Sequence, residues 1–258
     1  MGADAGGAAP LVSVRGLTHR FLDGTLGLER VDLTIRRGEF VVLAGRNGSG
    51  KTLLARHLNG LLEPTDGEVV VDGVSVACGA RRARERVGLV FQDADSQIIG
   101  DTVCEDIAFG PRNLRLDERE ITERVGEALA EADLTGRRDL PPHLLSGGEK
   151  RRLAVAGVLA MRPDMIVFDE PFSSLDYPAS RQVLKRIVAF HARGGTVLVI
   201  THDLDRILAH ATRLILMQGG AIVRDGPPPE VLPEVERFGV RLPAAGPLGV
   251  QSMTWLER

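Results

Sequence analysis

The chain has 258 residues, with 32 Lys and Arg against 35 Asp and Glu, and its formal net charge of -3 gives no basic field for nucleic acid. That length bounds it to one large α/β domain, or one domain with a smaller inserted lobe, and leaves room for an adequate core. Its two cysteines, Cys78 and Cys104, form no C-x-x-C pair, which fits a reducing compartment and excludes a cysteine zinc knuckle.

Residues Met1 to Pro10 are rich in Gly and Ala and lack both a positive n-region and a following apolar stretch. They are expected to be a frayed tail and not a secretion signal. Short β-like pieces follow at Leu11–Val14 and Val31–Ile35, with a turn at Asp23-Gly24. The apolar run Phe40–Ala44 then leads into Gly45-Arg46-Asn47-Gly48-Ser49-Gly50-Lys51-Thr52 and a helix-competent stretch to Asn59. This is a complete G-x-x-x-x-G-K-[ST] phosphate loop in its strand-loop-helix setting. Gly45, Gly48 and Gly50 let the backbone turn its amides inward around a β-phosphate, Lys51 supplies a compact positive charge, and Thr52 offers a hydroxyl to Mg²⁺. The helix points its positive end at the same anion. The chain is expected to bind a nucleoside triphosphate.

Gly67–Gly73 reads as a further strand, and with the earlier pieces it predicts a small antiparallel sheet beside the nucleotide core. Arg81-Arg82-Ala83-Arg84-Glu85-Arg86 reads as a solvated face, because Glu85 interrupts it and no aromatics interleave. Val87–Phe91 is a buried-type strand that stops at Gln92. From Ile107 to Ala160 the β texture gives way to helical patterns, Asp117–Ala132 and Glu149–Ala160, split by Pro141-Pro142. A helical insertion over about residues 95–160 is expected. Leu145-Ser146-Gly147-Gly148-Glu149 opens the second of these helices. Ser146 and Glu149 complete a capping box, which is a purely structural account. A cap does not need two glycines, however, and Ser146, Gly147 and Gly148 also expose amides and a hydroxyl for a second anion.

Met165–Phe168 is an apolar strand that ends in Asp169-Glu170. Asp169 can hold Mg²⁺ directly or through water, and Glu170 can orient or deprotonate an attacking water. A helix at Pro178–Ala192, a strand at Val197–Thr201, a helix at Leu204–Ala209 and strands at Arg213–Met217 and Ala221–Arg224 follow. Such alternation implies a largely parallel sheet. The tail past Pro233 is left without an assigned element. Apolar runs such as Thr196–Ile200 fall far short of the roughly 20 residues that span a bilayer, so the chain itself is not expected to cross one.

The phosphate loop at 45–52, Gln92, Leu145-Ser146-Gly147-Gly148, Asp169-Glu170, Ser174-Leu175-Asp176 and Thr201-His202-Asp203 occur in the order of an ATP-binding cassette (ABC) protein. The chain resembles this family from about Leu11 to Gly226. The resemblance implies an α/β phosphate-loop ATPase core with a largely parallel sheet, an antiparallel β subdomain and an inserted helical subdomain. That unit would occupy residues 11–232, between an N-terminal tail (1–10) and a C-terminal tail (233–258). It implies ATP and Mg²⁺, with nucleotide held by residues 45–52 and the metal by Thr52, Gln92 and Asp169. Phe21 falls where the family stacks an aromatic on adenine, although Tyr is commoner there. Gln92 resembles the glutamine that touches Mg²⁺ and the attacking water, Glu170 the catalytic carboxylate, Asp176 the aspartate of the D-loop, and His202 the histidine that contacts the γ-phosphate. His19, His57, His143, His191 and His210 have no such context and read as solvated or structural.

In this family the Ser146-Gly147-Gly148 amides of one subunit close over ATP held by another, so a second ABC ATPase subunit, identical or paralogous, is the expected partner. Arg46 stands where Pro is frequent and Phe172 where Thr is common. Neither departure removes a phosphate, metal or water ligand, so ATP hydrolysis is expected to survive both. Residues 93–100, followed by Thr102-Val103-Cys104-Glu105-Asp106-Ile107-Ala108-Phe109-Gly110-Pro111, resemble ATPases of energy-coupling factor importers, with Ala94 in place of the usual Pro. Core packing alone also accounts for Val103, Ile107 and Phe109.

This closer resemblance implies a peripheral subunit on the cytoplasmic face of the membrane. It would grip an integral transmembrane component, while a separate substrate-capture component takes a vitamin or a nickel or cobalt ion. The alternatives are another class of ABC transporter or a soluble ABC ATPase of translation or repair. The chain carries neither the second cassette nor the long insertions usual in those soluble proteins. A GTPase is disfavoured because none of Lys51, Lys150 and Lys185 follows Asn, so the guanine-reading N-K-x-D is absent.

Overall fold

The computed structural model describes residues 9–244 and 255–256; the expected N-terminal tail up to residue 8 and, in the C-terminal tail, residues 245–254 and 257–258 lie outside the described residues. The chain runs β1 (Val12–Arg20), β2 (Leu26–Ile35), β3 (Phe40–Ala44), α1 (Lys51–Leu58), β4 (Asp66–Val71), β5 (Val74–Ser75), α2 (Val76–Arg86) and β6 (Val87–Val90). Three helices follow, α3 (Val103–Asn113), α4 (Glu118–Glu131) and α5 (Gly147–Leu159). The remainder is β7 (Met165–Asp169), α6 (Tyr177–Ala192), β8 (Thr196–Thr201), β9 (Arg213–Gln218), β10 (Ala221–Gly226) and the short α7 (Pro228–Val231).

Six strands form the main sheet in the order β10-β9-β3-β8-β7-β6. All neighbours in it are parallel except the edge pair β9 and β10. The central strands read as continuous apolar runs because both their faces are covered. Successive side chains alternate between those faces. Phe40, Val42 and Ala44 join Ile166, Phe168, Val197 and Val199 in a core shared with α5 and α6. Val41 and Leu43 join Met165, Val167, Leu198 and Ile200 on the other side, facing α1 and the second sheet. That second sheet is antiparallel, in the order β2-β1-β4-β5.

Helices α3, α4 and α5 enclose a third core built on Val103, Ile107, Val125, Leu129 and Leu153. Helix α5 is buried on two sides. Its Ala154, Val155 and Val158 belong to the core of the main sheet, and its Leu153, Ala156 and Ala160 to the helical core. The helix is therefore a beam between the two lobes.

Several local expectations are corrected. Leu204–Ala209 is not one helix but two 3-10 turns, Leu204–Arg206 and Leu208–His210, separated by Ile207 at φ -131. The solvated face expected at residues 81–86 stands: they close helix α2 with Arg81, Arg82, Arg84 and Arg86 all exposed, Arg82 and Arg86 pairing with Asp72, Arg86 also with Asp164, and Arg81 with Glu85. Past Pro233 the chain is ordered into a 3-10 helix, Leu232–Phe238, which buries Leu232 and Val235 and ends at Gly239 in the left-handed region. Further on, Trp255 lies against the Tyr177 ring at 5.0 Å between centroids, and the Arg206 guanidinium sits 5.0 Å from its ring centre.

Candidate functional site

Parallel strands deliver their C-terminal ends to one edge of a sheet, which is where open α/β sheets bind ligands. Here β3 ends at Ala44 before the phosphate loop, β6 at Val90 before Gln92, β7 at Asp169 before Glu170, and β8 at Thr201 before His202. The phosphate loop, both carboxylates, Gln92 and His202 therefore converge on one edge, although they are spread over some two-thirds of the chain.

The loop closes on itself through Lys51, whose Nζ donates to the carbonyls of Gly45 (2.7 Å) and Arg46 (2.9 Å). Burial pushes the Lys51 ammonium down from its ordinary value, while the charges of Glu170 and Asp169 hold it up. Gly50 caps α1 at φ 101, and a Cβ there would sit 2.9 Å from Leu28 and 3.0 Å from the Gly27 carbonyl, so only glycine fits. Helices α3, α4, α5 and α6 each have a side-chain cap, from Thr102, Asp117, Ser146 and Asp176 respectively. Helix α1 has none, so its first amides remain available to an anion. Arg46 and Asn47 are exposed on the loop, and the Arg46 stem lies against Gly239 of the C-terminal turn. Ser49 is buried and touches Lys51 through its hydroxyl (3.4 Å).

Thr52 Oγ1 donates to Asp169 Oδ2 at 2.7 Å. Asp169 is 2% exposed, and its Oδ1 finds no hydrogen-bond partner among the described residues. Burial raises its pKa above the usual carboxylate value; the Thr52 bond opposes that and the neighbouring Glu170 charge adds to it. A buried carboxylate with one oxygen orphaned, next to a hydroxyl at a helix start, is a donor set suited to a hard cation such as Mg²⁺.

Glu170 follows at φ 46, a left-handed conformation that costs a side chain about 1–3 kcal/mol and is tolerated where function fixes it. Its Oε1 lies 2.8 Å from His202 Nδ1, and its Oε2 accepts from Thr201 Oγ1 at 3.2 Å. Thr201 was not singled out from the sequence by role, though it stands in the same tripeptide as His202. Asp176 caps α6 by accepting from the Ala179 amide at 2.9 Å. Phe21 is half exposed and meets His19 edge to face at 4.9 Å; a Cβ on Gly27 would strike both Phe21 and Leu53, which places its ring beside the start of α1. His57, read as solvated or structural, is fully buried and bonded to His19 through Nε2 and to the Leu62 carbonyl through Nδ1, each at 3.1 Å.

The Ser146 capping box is complete: the Glu149 amide donates to Ser146 Oγ (3.3 Å) and the Ser146 amide to Glu149 Oε2 (2.8 Å). Ser146–Gly148 are not brought to the phosphate loop of their own chain. Of the three, Gly147 lines a cavity of about 330 Å³ and shares its walls with Gln92, Arg151, Ser173 and Ser174. Gly147 is exposed, and a Cβ on it would meet nothing within 4 Å.

Amides and a lysine for phosphate at one strand end, with carboxylates for metal and water at the ends of its neighbours, make a phosphate-loop nucleoside triphosphatase. Residues 28–173 match the family model described as ABC transporter. The energy-coupling factor transporter ATP-binding protein EcfA of Methanocaldococcus jannaschii is 41% identical over 239 residues, which is 90% of this chain and 86% of that protein. Among solved structures, CbiO1 of Clostridium perfringens, part of the ABC transporter complex CbiONQ, is 34% identical with a TM-score of 0.78 over 93% of this chain and 98% of its own. The ATP-binding cassette MJ0796, solved as a dimer with ADP and Pi, is 28% identical with a TM-score of 0.76 over 84% of this chain and 98% of its own. The chain belongs to the ABC transporter family. It is the ATP-binding subunit of such a transporter and hydrolyses ATP.

Proposed function

We propose that this chain is the ATPase subunit of an importer of the energy-coupling factor type, in which two cassettes clamp ATP between them and drive an attached permease. The observation that carries the paired arrangement is Gly147. Nothing in its own chain crowds this residue, so its own fold gives no steric reason for glycine there. A second surface approaching closely gives the missing reason. That surface is the triphosphate in the phosphate loop of the partner cassette, an identical subunit or a near relative.

Within one site, residues 45–52 bind the triphosphate, the α1 amides and Lys51 taking its charge, and Phe21 lies under the base. Thr52, Asp169 and Gln92 would hold Mg²⁺, which when bound would supply positive charge to the triphosphate. Glu170, fixed by Thr201 and His202, orients the attacking water and takes its proton. With Nδ1 engaged on Glu170, His202 retains Nε2 for the γ-phosphate. The partner's Ser146-Gly147-Gly148 amides complete the shell, each good donor to developing charge being worth about 3 kcal/mol. Asp176, capping α6 beside that surface, sets the turn after Glu170. Residues 11–232 form this catalytic unit, and Val235 and Val240 beyond it pack into its main core.

Docking falls to the segment from residue 97 to 111, where Ile99 and Phe109 are exposed apolar side chains beside the Gln92 segment. Among the described residues no helix is long and apolar enough to cross a membrane, so transport requires an integral partner. The proposal places the chain on the cytoplasmic face, with a transmembrane component and a capture component for a transition-metal ion or a vitamin. Two measurements test this. Gel filtration of Glu170→Gln should give a dimer with ATP and a monomer with ADP. Affinity purification from detergent-solubilised native membranes should recover two integral proteins, and recovery of none would discard the transport reading.

A further inference from the structure

Helix α5 presents the Ser146–Gly148 amides at its N-terminus and, one turn further on, holds the backbone of the Gln92 segment. Arg151 is 5% exposed; its Nη1 donates to the Phe91 carbonyl at 2.6 Å and its Nη2 to the Gln92 carbonyl. Gln97 completes the attachment: Oε1 accepts from the Phe91 amide at 3.0 Å, and Nε2 donates to the Ala154 carbonyl of α5 at 3.1 Å. Both backbone polar groups of Phe91 and the carbonyl of Gln92 are thus tied to one helix. An exposed ion pair, Lys150 to Asp95 at 2.6 Å, adds a third tie.

Strand β6 ends at Val90, so residues 91 and 92 lie beyond its ladder with β7, and the side chains of Arg151 on α5 and of Gln97 bond them instead. A buried guanidinium is an expensive way to fill space, since apolar residues of similar volume are often as stable or more so. Its Nε is itself buried without a hydrogen bond among the described residues. What the arginine supplies is geometry: two fixed donors in a planar fork, aimed at consecutive carbonyls.

We propose that Arg151 and Gln97 are positioning residues that join Gln92 and the Ser146–Gly148 cap into one rigid unit. ATP sensed by Gln92 in one subunit then sets the cap which that subunit lays over the ATP of its partner. This rests on the composite-site reading above. It makes the two nucleotide sites of a pair energetically coupled through two α5 helices, and coupling between sites typically amounts to 5–150-fold in affinity.

The test uses the full chain in the Glu170→Gln background, with Arg151→Met, Arg151→Lys and Gln97→Leu added singly. Two quantities are read: the ATP concentration for half-maximal pairing by light scattering, and the affinity of the unpaired chain for a fluorescent ADP analogue. Arg151→Met and Gln97→Leu are expected to raise the first about tenfold and to leave the second within about twofold. Arg151→Lys should recover part of the loss. Unchanged pairing in both variants overturns the link. A parallel loss of ADP binding also overturns it, because the defect then lies in the fold of the site. If Arg151→Met does not fold, Gln97→Leu decides by the same two readouts. If Glu170→Gln itself stays monomeric in ATP, the composite site fails first and takes the link with it.

Discussion

Glu170 Oε1 and His202 Nδ1 stand 2.8 Å apart at the ends of two adjacent parallel strands, and the Thr201 hydroxyl holds the other carboxylate oxygen. The carboxylate is thereby aimed before any water arrives. Removing it as a base should lower kcat by about 100-fold or more in Glu170→Gln, with ATP affinity kept. His202→Ala should also lower kcat strongly. Thr201→Val, which loses the hydroxyl's bonds to Glu170 and to the Asp203 amide but no charge, should cost only about tenfold. Steady-state phosphate release alongside equilibrium nucleotide binding separates these effects, and a rise in KM alone would contradict the assignment.

Gly147→Ala isolates the pairing surface. The added methyl meets nothing in its own chain, so the thermal midpoint should hold or rise slightly and ADP binding should persist. ATP-driven pairing and turnover should fall together. A variant that pairs and turns over as the parent does would show that no second surface approaches this position.

Asp169→Asn removes a buried charge whose pKa is raised chiefly by desolvation and further by Glu170, against the Thr52 hydrogen bond. The unliganded protein should therefore be as stable as the parent or more so. Its hydrolysis should nevertheless collapse, and the Mg²⁺-dependent gain in ATP affinity should disappear. Calorimetric titration with and without Mg²⁺ reads this directly.

Burial beside His19 takes the His57 imidazole from 6.5 to about 4, against the opposing pull of the Leu62 carbonyl. Its folded pKa lies below its unfolded one, so the fold holds it neutral. The stability it contributes is complete above about pH 6.5 and drains away towards pH 4, by about 3 kcal/mol at most. His57→Asn should be weaker at pH 7.5 but lose less on acidification to pH 5. Thermal melts across that range give the comparison, and equal acid sensitivity would contradict it.

The parallel strands were legible in the sequence because burial on both faces turns Phe40–Ala44, Met165–Phe168 and Val197–Thr201 into unbroken apolar runs. The phosphate loop, the Asp169-Glu170 pair and His202 were legible because chemistry constrains their spacing along single strand ends. Leu204–Ala209 was misread because six residues carry too little periodicity to separate a helix from two 3-10 turns, and Ile207 departs from helical geometry. Long-range pairs were invisible for another reason. The contacts of His57 with His19 and of Arg151 with Phe91 and Gln92 join residues 38 to 60 positions apart, and no local pattern announces them.

Trp255, the only tryptophan of the chain, rests on Tyr177, the residue directly after Asp176, and against Arg206, whose guanidinium also donates to the Phe172 carbonyl and forms an ion pair with Asp203. The one indole of the chain thus sits against the turns that carry Asp176 and Asp203, the latter next to His202. If two cassettes close over ATP as proposed above, the emission of that one indole is expected to change with each turnover, giving an optical readout in the unlabelled protein.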